Sequence, residues 1–143
     1  MQYFPTTGSP TANGVIDHVI ANDNQQFGIL IYLSFVQAGT TVATVSNSTL
    51  NGNSPYGIRV SNTGSSTTVK VSIDNVSVSG SEFGVSAAGT PSVLLGRSVI
   101  TGNTGWGIDN TTSPNTFYSY GDNRINLNAT DINNALNTTF KTQ

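Results

Sequence analysis

Val45-Ser-Asn-Ser-Thr-Leu50-Asn-Gly52-Asn53-Ser-Pro-Tyr56-Gly57-Ile58 is the stretch on which the fold turns. It recurs as Leu95-Gly-Arg-Ser-Val-Ile100-Thr-Gly102-Asn103-Thr-Gly-Trp106-Gly107-Ile108. In both, two aliphatic residues stand five apart, and an Asn stands four before a glycine flanked by an aromatic and an aliphatic residue. The aromatic–Gly–aliphatic step occurs four times: Phe27-Gly28-Ile29, Tyr56-Gly57-Ile58, Phe83-Gly84-Val85 and Trp106-Gly107-Ile108, with glycine spacings of 29, 27 and 23. The aliphatic pairs are Val15 and Ile20, Val45 and Leu50, Ile73 and Val78, and Leu95 and Ile100. Asn24, Asn53 and Asn103 hold the asparagine position, and the third copy has Gly80 there. A fifth, partial copy runs from Tyr120 to Ile125 and lacks the aromatic–Gly step.

Each apolar cluster is short and rich in β-branched residues, and each is bounded by Asn, Gly, Ser or Thr. These are strand and turn signals. No window sustains the i, i+3, i+4, i+7 period of an amphipathic helix. One such unit cannot bury its apolar side alone, whereas stacked units build a continuous core. Stacking also sets like residues above one another. It predicts an amide ladder through Asn24, Asn53 and Asn103 and a packed column of Phe27, Tyr56, Phe83 and Trp106 beside Gly28, Gly57, Gly84 and Gly107.

The repeat resembles that of the right-handed parallel β-helices of the pectin-lyase-like superfamily, of bacterial and phage type. The resemblance covers Val15 to about Leu127, and the tail Tyr118-Ser-Tyr-Gly-Asp-Asn-Arg-Ile-Asn-Leu-Asn is similar to a closing coil. It implies an all-β solenoid of about five coils over 15–127, preceded by an extension or partial cap over 1–14. A cap or tail follows over 128–143. Within that tail Ile132, Leu136 and Phe140 stand four apart and offer one helical stripe. Tyr3 and Phe4 are the residues at hand to cover the first coil, and that sparse cover points to further coils or to oligomerisation through the open end. The polar run Ser61 to Thr68 reads as a loop excursion. The apolar run Leu30 to Val36 reads as a strand with Tyr32 outward.

Composition narrows the function classes. Asn, Ser and Thr make up 54 of 143 residues, and only 8% are charged. Five basic residues scattered along a chain of net charge −2 argue against a nucleic-acid partner, since phosphate binding needs clustered Lys and Arg. No apolar run reaches 18 residues, so no membrane-inserted helix is expected. The N-terminus lacks a basic and then apolar leader. Without cysteine there is no disulfide frame, thiol chemistry or Cys-ligated zinc.

Catalysis of glycoside cleavage requires two converging carboxyls. The chain has Asp17, Asp23, Asp74, Glu82, Asp109, Asp122 and Asp131. Aligned on the repeat, Asp17 falls with Asn47, Asn75 and Arg97, and no column holds two acids. Two places after the repeat glycines stand Leu30, Arg59, Ser86 and Asp109. The resemblance admits a Ca²⁺-binding acidic cluster with an Arg base, as in pectate lyases, or paired Asp with Gly-His-Gly, as in polygalacturonases. Neither pattern is present, and His18 is followed by Val19. No cofactor or metal is expected, Ca²⁺ entering only with a lyase. Three readings stay open. One is a non-catalytic module contacting polysaccharide through Tyr32, Arg59, Ser86 and Asp109. The others are a lyase or hydrolase of the pectate-lyase type, and a structural spacer assembling as a homo-oligomer such as a trimer. Each reading places the chain outside the cell, on a cell surface or on a virion.

Overall fold

A computed structural model describes residues 11–33, 38–64, 66–111 and 116–137. The chain climbs through five levels of three strands. Level one holds β1 (Thr11–Asp17), β2 (Ile20–Asn22) and β3 (Phe27–Leu33); level two holds β4 (Gly39–Ser46), β5 (Thr49–Asn51) and β6 (Tyr56–Asn62). Level three holds β7 (Thr67–Asp74), β8 (Ser77–Ser79) and β9 (Phe83–Gly89); level four holds β10 (Ser92–Gly96), β11 (Val99–Thr101) and β12 (Trp106–Asn110). Level five holds β13 (Phe117–Ser119), β14 (Arg124–Asn126) and β15 (Thr130–Asn133). First, second and third strands form three five-stranded sheets, and the pairings between levels are parallel. The protein is a parallel β-solenoid.

Strands as short as three residues persist here because β5, β8 and β11 are paired on both sides within their stack and each buries one inward side chain completely, and inward side chains of successive levels form a column. In the second sheet that column is Ala21, Leu50, Val78, Ile100 and Ile125. In the third it is Ile29, Ile58, Val85, Ile108 and Ile132. In the first it is Ile16, Val45, Ile73, Leu95 and Ser119. Leu50, Ile58, Ile73, Leu95, Ile100 and Ile108 are all completely buried.

The corners between strands are single left-handed residues. The first corner uses His18, Asn47, Asn75 and Arg97, with φ from 48° to 54°; the second uses Asp23, Gly52, Gly80, Gly102 and Leu127, with φ from 55° to 66°. This corrects the third copy: Gly80 belongs to the second corner, and Ser81 takes the asparagine position, as the Ser81 N–H bonded to Asn103 Oδ1 shows (3.1 Å). The first coil is also displaced by one place. Val15 and Ile20 are each 78% exposed, while Ile16 and Ala21 pack inward. Apolar residues at 15, 16, 19 and 20 permit either register, and pairing of Ile16 with Val45 decides it. At the fifth level Ser119, rather than Tyr120, pairs with Leu95, and Tyr120 faces solvent.

The tail departs from a helical stripe. Thr130–Asn133 is strand β15, paired with β12. Asn137 pairs with Tyr118, and Leu136 packs on the core; Phe140, like Tyr3 and Phe4, lies outside the described residues. Strand β1 begins at Thr11, within the stretch expected as an extension. Of the run 61–68, Ser61 and Asn62 end β6 and are buried, and Thr67 and Thr68 open β7. The Asn62 amide bonds Thr67 O and Thr90 Oγ1, and Thr67 Oγ1 bonds Asn62 Oδ1. Buried backbone carbonyls and N–H groups need partners, and Asn62 supplies them where a loop was expected. In β3, Leu30 and Tyr32 point outward between buried Ile31 and Leu33.

Candidate ligand-binding ledge on the third sheet

The outer face of the third sheet carries two columns. Phe27, Tyr56, Phe83 and Trp106 are in register, with ring centroids 5.6, 5.0 and 5.4 Å apart. The first two pairs are stacked and the last tilted. Rings at a strand's spacing cover one another's faces, so this column is a packed element whose inner faces are closed to a ligand. Three residues further along runs Leu30, Arg59, Ser86, Asp109 and Asn133.

That second column is a directed chain of hydrogen bonds. Arg59 Nη1 donates to Ser86 Oγ at 2.7 Å, and Ser86 Oγ donates to Asp109 Oδ2 at 2.7 Å. Arg59 Nη1 lies 3.9 Å from the same carboxylate oxygen, and Asn133 Nδ2 donates to Asp109 Oδ1 at 3.4 Å. The guanidinium also sits 4.4 Å above the Tyr56 ring, a cation–π contact. Ser86 is fully buried and the Asp109 side chain is 5% exposed, against 22% for Arg59. A buried carboxylate needs a partner for its charge; Ser86 and Arg59 supply it.

Of the four residues singled out in the sequence, Arg59, Ser86 and Asp109 therefore meet, but only Arg59 reaches the surface. Tyr32 pairs with Ser61, two places beyond Arg59 on the same face. Phe27, Leu30, Tyr32, Tyr56, Arg59 and Ser61 line one open hollow of about 360 Å³. Phe27, Tyr56 and Ser61 were the unforeseen members; strand alternation puts Ser61 on the side of Arg59, whereas Phe27 and Tyr56, three places before Leu30 and Arg59, share that side only because the alternation breaks at Gly28 and Gly57.

The remaining acids are engaged elsewhere. Asp17 shares its column with Ser46 and Asp74, so two acids do stand in one column, separated by a serine. Repeat spacing sets Asp17 beside Asn47 instead, because the first coil's inward residue is Ile16 and not Val15. Asp17 accepts from Ser46 Oγ (2.7 Å) and Asn47 Nδ2 (2.8 Å), and His18 Nδ1 lies 2.7 Å from its other oxygen. These bonds, Ser46 first, hold its carboxyl at about 2. Asp74 is bonded by Arg97 Nε (2.9 Å) and Nη2, and the guanidinium lowers its pKa. Glycosidic cleavage requires an acid raised toward neutrality, whereas these two are displaced downward. Among the described residues no group of three His, Asp or Glu is placed to hold a metal ion. No described helix is long and apolar enough to cross a membrane.

No family model, curated protein or solved structure matches the chain.

Proposed function

We propose that this β-solenoid is a non-catalytic module that holds polysaccharide on the third sheet, at the hollow between Tyr32 and Arg59. The observation that carries this reading is the state of Arg59. Its Nη1 is fixed by Ser86 and Asp109 and its plane rests on Tyr56, while Nε and Nη2 have no protein partner among the described residues. A guanidinium held in place offers donors to sugar hydroxyls or carboxylates with little ordering cost. Phe27 and Tyr32 add apolar walls suited to the faces of pyranose rings. The polar composition and the resemblance to pectin-lyase-like repeats support the same reading, and with it a setting where polysaccharides are met, outside the cell or on a virion.

The test is titration of neutral and acidic polysaccharides into the protein, with and without Ca²⁺, following heat and released ends together. Arg59→Ala and Tyr32→Ala are each expected to weaken binding about tenfold, roughly 1.4 kcal/mol, with the circular dichroism spectrum unchanged. Binding that ignores both substitutions removes the hollow from consideration. Unsaturated products or new reducing ends favour the lyase or hydrolase alternative. A spacer that assembles side by side, such as a trimer, draws on a different feature: the trough of about 280 Å³ on the first sheet, walled by Val42, Leu94 and Tyr118. A solution mass of three chains without glycan binding would favour it.

A further inference from the structure

The asparagine ladder has a repeated geometry. Asn24 donates both its backbone N–H (3.2 Å) and its Nδ2 (2.8 Å) to Asn53 Oδ1, one level on. Asn103 does the same to Asn128 Oδ1, at 3.1 and 2.8 Å. Asn128 stands on level five, the last among the described residues, with no ladder asparagine beyond it there. Its N–H and Nδ2 go instead to Asp131 Oδ1, at 3.1 and 3.0 Å. The carboxylate oxygen thus takes the place that the next level's amide oxygen occupies beyond Asn24, Ser81 and Asn103.

The position of Asp131 explains how this is possible. Trp106 pairs with Thr130 and Ile108 with Ile132, which puts Asp131 in the column of Gly28, Gly57, Gly84 and Gly107. Those glycines lack a side chain for a shared reason. A Cβ on Gly28 would lie 2.9 Å from Asn53 Nδ2 and 2.7 Å from Gly57 O. One on Gly107 would lie 2.6 Å from Asn128 Nδ2 and 2.7 Å from Asp131 O. At each level the space belongs to the level beyond. On level five no described residue lies beyond in this column, and a side chain fits. The missing aromatic–Gly step of the fifth copy is therefore a change of role, with Thr130-Asp131 in place of the aromatic and the glycine.

We infer that Asp131 is a stop: it fills the site a sixth-level ladder asparagine would need, and so prevents the head of a second copy of this chain from docking on strand β15. Such a copy would present Asn24, whose Oδ1 has no partner among the described residues and matches the Asn128 donors. An edge strand invites this kind of addition, and here the acceptor oxygen that already occupies the Asn128 donors blocks it.

The test compares solution mass over a range of concentrations for the wild type, Asp131→Gly and Asp131→Asn, with amide exchange measured on the wild type. Restoring glycine is expected to raise the mean mass above the wild-type value by multiples of 14.9 kDa as concentration rises. Asn, which keeps the shape and an acceptor oxygen, is expected to leave the mass as in the wild type. In the wild type the Asn128 amide is expected to exchange more slowly than the unbonded amides of its own level, a readout that stands even where the glycine variant fails to fold. A glycine variant that stays at the wild-type mass overturns the inference. So does an asparagine variant that associates equally, or an Asn128 amide that exchanges as an unbonded one.

Discussion

Leu127 holds a left-handed conformation, φ 59°, with 84% of its surface exposed. A residue with a Cβ is disfavoured there by about 1–2 kcal/mol, and its side chain returns little by burial. Leu127→Gly is expected to raise stability by about 1 kcal/mol, or roughly 3 °C in thermal unfolding. Ser86 is the opposite case, a small residue on which two others depend. Ser86→Ala leaves Asp109 buried without its short bond, and is expected to cost about 1–3 kcal/mol in denaturant unfolding. Asp17 makes stability depend on pH. Its folded value of about 2 lies below the ordinary 3.8, so its contribution is whole above the unfolded value and is lost as pH falls through the folded one. The unfolding midpoint of the wild type should therefore drop between about pH 4 and pH 2. Asp74, lowered by Arg97, acts in the same direction. Asp17→Ala is expected to make the fall shallower without abolishing it.

At the scale of the strand and its corner, glycine has two separate reasons to be present. Gly84 lies within β9, and a Cβ there would meet Gly107 O at 2.5 Å and Ile100 Cγ2 at 2.7 Å. Gly102 lies at a corner with φ 65° and nothing within 4 Å of its Cβ position. Gly84→Ala should cost roughly 3 kcal/mol through overpacking, and Gly102→Ala about 1 kcal/mol through backbone conformation alone. Equal losses in chemical denaturation would show that this separation is mistaken. The inner turns follow the same logic of alternate levels. Ser48 Oγ accepts from Val19 N–H and Ser98 Oγ from Val76 N–H, at 3.1 and 3.2 Å, and Asn123 Oδ1 accepts from Ser98 N–H at 2.9 Å. This second ladder was not legible beforehand, because Ser is too common here for Ser48 and Ser98 to stand out, and because Val and Ser alternate in one column before Asn123.

Over the whole molecule, stability is carried by contacts between neighbouring levels, so the ends are expected to open first. Amide exchange should be slowest in β5, β8 and β11 and fastest in β14 and β15, where Ile132 is 41% exposed. A flat profile across levels would mean that the solenoid unfolds as one unit. The repeat was readable without coordinates because stacking forces chemical likeness into columns. An aliphatic residue must face an aliphatic one, and a glycine is required wherever the next level intrudes. The Arg59, Ser86 and Asp109 column followed from the same count, since nothing shifts the third sheet's register. The ends were not readable in this way. Val15, Ile20 and Tyr120 satisfy the local pattern yet face solvent, because a terminal level has a neighbour on one side only and tolerates either register locally. The sequence by itself determined the stack and its period. The tertiary structure alone decided that Ser86 and Asp109 are buried supports while Arg59 and Tyr32 line one hollow at the surface, and that Asp131 bonds the end of the ladder. Burial and hydrogen-bond direction depend on what lies on the next level and across the sheet, and no local spacing records that.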